Sequence, residues 1–335
     1  MTLKQEAVRT AIARFPNLGA RTLARKVMAD NKGLFSGFNA AYSAVRGALG
    51  VHGNKCRREA ADKSAFREPR GFTVDHFEDI PDGLTHYKDW ESFQIPGPVK
   101  ALVISDVHVP FHAAEPLRAA LREGKRRGAD TVILNGDLCD CHDVSDFLKD
   151  PRLKVFPEEI RVMRLILETI RQEFGKARII YKLGNHEERY IRYLMRQAPI
   201  LLDLPEFDFG EILRLKQYGV ELVSDKRPIA LGKLNVIHGH EYRFGISNPV
   251  NAARGFFLRS KAHCLGGHFH QTSQHSEKNI EELVVSTWST GCLCDLHPDY
   301  SPINNWNHGF AFVEVDKGGG FQVHNFRIFD GKVYQ

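Results

Sequence analysis

The chain has 335 residues, 42% hydrophobic and 26% charged, which allows a sizeable core and about two domains on the usual size prior. No apolar run reaches the ~18 residues that a membrane span needs, and the amphipathic start MTLKQEAVRTAIARF lacks an export-signal pattern, so no membrane partner and a cytoplasmic location are expected. The net charge of +5 is unevenly spread: residues 1–70 hold fourteen Lys/Arg against five Asp/Glu, or +9, leaving −4 for the rest. A basic end on a slightly acidic body suits an anionic partner, nucleic acid first, although a solvated basic face gives the same count.

In chain order, Leu3, Ala7, Val8, Ala11 and Ile12 fall at helical spacing over 2–15, and Pro16 and Gly19 end that pattern. A second helix is predicted over 20–30 with Leu23, Ala24 and Val27 inward, then a turn at Asn31-Lys32-Gly33. A third covers about 36–49, with Phe38, Ala41, Val45 and Ala48 on one face. Three short helices with tight turns and a basic surface fit a small all-α, helix-turn-helix-like domain over 1–53. The third helix would be the reader, offering Asn39, Ser43 and Arg46 to nucleic acid; a packing or dimerisation module is the alternative. Residues 54–98, polar and carrying Pro69, Pro81, Pro96 and Pro98, read as a linker.

From Val99 onward, across 99–335, strands alternate with helices. Strands are predicted at 99–105, 130–135 and 178–183, with helices near 114–127, 158–174 and 187–197. Later strands near 220–223, 227–231, 233–238, 262–266, 283–289 and 309–315 have fewer helices between them, which indicates a mixed α/β sandwich.

Five blocks in this region end a β-type run with residues that bind metals: Asp106-Val107-His108, Gly136-Asp137, Gly184-Asn185-His186-Glu187, His238-Gly239-His240 and Gly267-His268-Phe269-His270. Side chains placed where strands end converge on one edge of a sheet, where open α/β folds build their sites. Carboxylate, imidazole and amide donors suit divalent cations better than a structural zinc. The cysteines (Cys56, Cys139, Cys141, Cys264, Cys292 and Cys294) include two Cys-x-Cys pairs, a spacing unlike structural zinc sites, and are read as reduced thiols.

The ordered set Asp-x-His, Gly-Asp, Gly-Asn-His-Glu, His and Gly-His-x-His resembles the calcineurin-like metallophosphoesterase superfamily over roughly residues 99–315. The resemblance implies a four-layer αββα sandwich. It also implies two divalent cations, manganese first among manganese, iron, zinc, nickel and magnesium, because such donors accept several metals. By motif position Asp106, His108 and His270 would hold the first cation, Asn185, His238 and His268 the second, and Asp137 would bridge them. A hydroxide between the metals would attack phosphorus in line with the leaving group. His186 would stabilise the transition state and protonate the leaving oxygen, and Asp140 would orient His186 or another imidazole. His112, His240 and Arg254 are substrate-contact candidates, each with a plain wall or surface role as the alternative.

A further block, Ser289 to Leu293 with Tyr300 and Trp306 to Phe310, is similar to phage and prophage phosphoesterases that begin with a helix-turn-helix segment. A phage-encoded protein would work in the host cytoplasm, and the family is often dimeric. The intact ligand set and basic arm point to a phosphodiesterase or nuclease acting on nucleic acid (DNA or RNA) or nucleotides. A phosphomonoesterase, including a protein phosphatase, is the alternative; so are a DNA-binding regulator with a metal-sensing domain and a scaffold that has lost its chemistry.

Overall fold

The computed structural model describes residues 1–50, 83, 90–148, 152, 155–242 and 250–335. The chain divides into two compact units, Met1–His86 and Tyr87–Gln335. Most of the expected linker, including Phe72 to Val74, lies outside the described residues.

In the first unit, α1 (Leu3–Arg14) starts on a capping box in which Thr2 and Gln5 satisfy each other's backbone N–H groups. It is followed by α2 (Ala20–Asp30) and α3 (Phe38–Ala48). The three helices close on Val8, Ala11, Leu23, Ala24, Val27, Phe35, Ala41 and Val45, all buried. The apolar positions predicted at helical spacing supply most of this core; Leu3 instead stays 73% exposed.

The second unit has two sheets. The parallel strands of the first are β2 (Val99–Ile104), β3 (Thr131–Asn135), β4 (Arg178–Lys182) and β5 (Val220–Val223). An antiparallel meander of β11 (His308–Val315), β12 (Phe321–Phe329) and β13 (Lys332–Tyr334) continues it from β2, so the order across the sheet is β13-β12-β11-β2-β3-β4-β5. Strands buried on both faces read as unbroken apolar runs, and here the alternation sorts the two cores. Leu102, Ile104, Val132, Leu134, Ile179 and Tyr181 meet α4 (Ala114–Arg126), α5 (Phe156–Phe174) and α6 (Glu187–Gln197). Ala101, Val103, Ile133 and Ile180 meet the second sheet through Ile229, Leu231, Val236 and Leu265.

The strands of the second sheet are β1 (Phe93–Ile95), β6 (Ile229–Leu231), β7 (Leu234–Val236), β8 (Cys264–Gly266), β9 (Ser273–Lys278) and β10 (Val284–Ser289). They lie in the order β1-β6-β7-β8-β10-β9. A four-residue helix, α7 (Phe209–Ile212), precedes β5, and α8 (Ala252–Ser260) covers the outer side of the second sheet through Ala252 and Phe256. The layers are therefore α, β, β, α, as the resemblance implies.

The structure departs from the sequence pattern in two places. Residues 93–95 are not linker: β1 pairs in parallel with β6. Three residues ahead of Pro96 carry too little pattern to announce a strand. The pattern also does not announce β9, β12 and β13. SQHSEK in β9 has no apolar residue, because this edge strand is exposed along most of its length and is held to β10 by its backbone ladder.

Candidate metal centre

The five blocks begin one or two residues beyond the ends of β2, β3, β4, β7 and β8. Within the first sheet β2, β3 and β4 run parallel, and in the second β7 and β8 do, so the strand ends from both sheets open on one edge. The chain turns abruptly there. Asp106, His108, Asp137, His268 and His270 all sit at positive φ, between +49° and +69°. Non-glycine residues in this region are strained and gather at functional sites. The turns also need close backbone approach: a Cβ on Gly184 would run into the amide and carboxylate of Asp137, and one on Gly267 into Ser105 and Asp106.

The predicted ligands come together. His108 Nε2 lies 3.2 Å from His270 Nε2, and His270 Nε2 lies 3.2 Å from Asp106 Oδ1. Donor atoms of His108, Asp137 and His186 lie within 4.8 Å of one another, as do those of Asp137, His238 and His268. Asp137 belongs to both groups. Its Oδ2 is 4.0 Å from His108 Nε2 and 3.2 Å from His238 Nε2.

Outer contacts set the tautomers. His108 Nδ1 meets Asp140 Oδ1 at 2.9 Å, His238 Nδ1 meets the Asn135 carbonyl at 2.8 Å, and His270 Nδ1 lies 3.9 Å from Cys294 Sγ. The carboxylate and the carbonyl only accept, so the first two Nδ1 atoms donate, leaving Nε2 as a lone pair aimed inward. Asn185 Oδ1 is buried without a hydrogen-bond partner among the described residues. Buried acceptors with nothing to accept from are costly, and a cation satisfies them.

Electrostatics point the same way. Burial raises the Asp106 carboxyl, but the adjoining His270 brings it down to about 2. Asp137 is likewise lowered against burial, by His186 and His238. Burial lowers His238, yet Asp137 drives it up to about 10. His268 falls to about 4 through burial and the charge of His238. The acidic pair thus demands positive charge between the imidazoles, which a proton on His238 or a divalent cation supplies. The residues present fit divalent cations.

Asp140 accepts from His108 and lies 3.1 Å from His186 Nδ1, so it ties two imidazoles together. His186 Nδ1 also meets the Asp140 carbonyl at 2.9 Å, and its Nε2 accepts from Arg189 Nη2 at 2.8 Å. Arginine only donates, so in this arrangement Nε2 serves as the acceptor.

The remaining candidates are more scattered. His240 pairs with Glu188 at 3.1 Å, its ring 5.3 Å from His238. His112 is half-buried and bridges to Cys294 through its backbone; burial lowers its pKa. Arg254 is exposed on α8. In the first unit Asn39 and Ser43 are exposed, while Arg46 is half-buried with its guanidinium 5.6 Å from the Tyr42 ring.

Three contributors have roles that the sequence pattern does not assign. Glu187, inside the third block, accepts N–H groups from Asp137 (3.0 Å), Leu138, Cys139 and Gly184 and the hydroxyl of Tyr181. Glu241 accepts from the His238 and Gly239 amides and pairs with the buried Lys182 at 3.0 Å; burial raises its carboxyl, but Lys182 brings it to about 2. Arg189 follows His186 by three residues, a spacing that puts both on one face of a helix.

The chain is 25% identical over 259 residues to the gene 54 protein of Mycobacterium phage L5, covering 70% of this chain and 98% of that protein. It is 22% identical over 239 residues to the gene 54 protein of Mycobacterium phage D29, covering 65% and 89%. Among solved structures it is similar to a Vps29 single mutant from Entamoeba histolytica, with 16% identity, a TM-score of 0.35 and coverage of 70% of this chain and 96% of that one. The family model for the calcineurin-like phosphoesterases matches residues 99–272, over half of the sequence, and this chain belongs to that family.

Proposed function

We propose that the chain is a two-metal phosphodiesterase acting on nucleic acid or nucleotides, with the basic three-helix unit engaging the polymer. The observation that carries the reading is Asp137, whose carboxylate lies among two groups of imidazoles at once, His108 with His186 and His238 with His268. Asp106, His108 and His270 would hold one cation and Asn185, His238 and His268 the other, with Asp137 common to both. Divalent cations held by these residues would supply an activated water and charge to balance the phosphoryl oxygens.

The protein's own groups would then orient and transfer. Asp140 holds the His108 and His186 rings. Arg189 caps His186 Nε2 until a phosphate oxygen draws its N–H groups away. Nε2, once free of Arg189 and protonated from solvent, would pass that proton to the leaving oxygen.

The first test is Asp137→Asn, which is expected to abolish hydrolysis of bis-p-nitrophenyl phosphate in added manganese. Full retention would show that the two-metal reading is wrong. A panel of single- and double-stranded DNA, RNA, cyclic nucleotides and phosphopeptides then ranks substrates; preference for phosphopeptides would move the assignment to a phosphomonoesterase.

A further inference from the structure

The segment between β10 and β11 carries Tyr300 and Trp306, neither of which the metal chemistry uses. It is tightly fixed to the metal edge. The Asn307 amide N–H donates to the His270 carbonyl at 2.9 Å, and the Asn307 side chain exchanges hydrogen bonds with Thr272. Asn304 accepts from the Trp306 N–H at 2.8 Å and donates to the carbonyls of Leu296 and Ser301. These bonds present two rings in series. Trp306 lies edge-on to the predicted ligand His270, with centroids 4.1 Å apart, and Tyr300 lies 6.2 Å beyond Trp306. Tyr300 is 73% exposed, so its ring is open to a partner from solvent.

We propose that Trp306 and Tyr300 form a nucleobase-stacking subsite beside the metal edge, making unpaired nucleic acid the preferred substrate class. The inference rests on the phosphodiesterase reading. An aromatic face rewards any base whose own π-face is free, whereas bases in a duplex are already stacked on one another. Residues 71–335 carry −4 and the basic excess lies in residues 1–70. A pre-set ring pair holds a base without a positive groove. A phosphate at the His108–His270 pair would bring its adjoining base toward Trp306, whose ring centroid is 4.1 Å from that of His270.

The full-length protein tests this on single-stranded oligothymidylate and on an abasic backbone of equal length, under one metal condition. Wild type is expected to favour the base-bearing strand in kcat/KM by roughly tenfold or more, mainly through KM. Tyr300→Ala should erase most of that preference and Tyr300→Phe should keep it, because stacking needs the ring and not the hydroxyl. Trp306→Leu should act in the same direction. Equal cleavage of both strands by wild type, or an unchanged preference in Tyr300→Ala, overturns the subsite while leaving the phosphodiesterase reading in place. Cleavage of neither strand, with phosphomonoesters hydrolysed, overturns both. Duplex DNA cleaved as well as the single strand overturns the substrate class.

Discussion

Five donors converge on the Glu187 carboxylate, four of them backbone amides from the turns that carry Asp137 and Asn185. Asp137 is held at φ +51°, a strained position that needs such support. Glu187→Gln would turn an NH2 group toward amides that can only donate. With charge-assisted bonds worth about 1.5–3 kcal/mol each, a loss of about 3 kcal/mol is expected. Urea unfolding followed by tryptophan fluorescence should show it as a lower midpoint, and metal affinity measured by calorimetry should fall as well. An unchanged midpoint would mean that the turns hold themselves. The candidate donors are legible in the sequence because metal-binding residue types at strand ends form short, ordered words. Glu187 and Glu241 are not, since their roles lie in backbone amides that no side-chain pattern reveals. Lys182 leaves a faint signal, a lysine closing an apolar strand, which makes sense only once its partner Glu241 comes from 59 residues further on.

At the scale of elements, α5 brings a second buried acid to the same edge. Glu159 is fully buried and accepts the Cys141 N–H at 2.7 Å, while its other oxygen has no partner among the described residues. Burial, with the nearby Asp140 charge adding to it, pushes this carboxyl up to about 8. The native protein therefore keeps a proton here that the unfolded chain loses near the ordinary value of 4.5. Stability conferred by this group is full below that value and falls as pH rises toward 8, by about 1.4 kcal/mol per pH unit for one proton. Glu159→Gln is expected to flatten the pH dependence of the urea midpoint between pH 5 and 8, leaving the variant more stable than wild type at the upper end. Parallel slopes for the two proteins would assign that dependence to other groups. The helix is legible from Ile160, Met163, Leu167 and Ile170, which do pack against the first sheet. The buried Glu159 beside Ile160 is not, because a glutamate in a helix's first turn is ordinarily a solvated partner of the helix dipole. Solvation hides β9 in the same way: the doubly buried strands announce themselves as apolar runs, whereas this exposed edge strand does not.

For the whole molecule, the charge is divided between the two ends of the chain. The excess of +9 in residues 1–70 accompanies a unit with its own apolar core, and the −4 accompanies the αββα unit that carries the metal edge. If the three-helix unit grips a polymer, its grip is mostly Lys and Arg on phosphate, and each such ion pair removed should lower the slope of log affinity against log salt by roughly 0.9 for duplex DNA. Deleting residues 1–66 is therefore expected to weaken DNA binding most at low salt and to flatten that slope, read by fluorescence anisotropy across a salt series. Hydrolysis of bis-p-nitrophenyl phosphate, which needs only the metal edge, should continue. Within the unit, Asn39→Ala and Ser43→Ala alter exposed positions on α3 and should relax sequence preference if that helix reads bases, without changing the slope. Deletion that leaves both affinity and slope unchanged would make the unit a packing or dimerisation module. The polymer would then have to be held at the metal edge alone, by the cations there and by stacking on Tyr300 and Trp306.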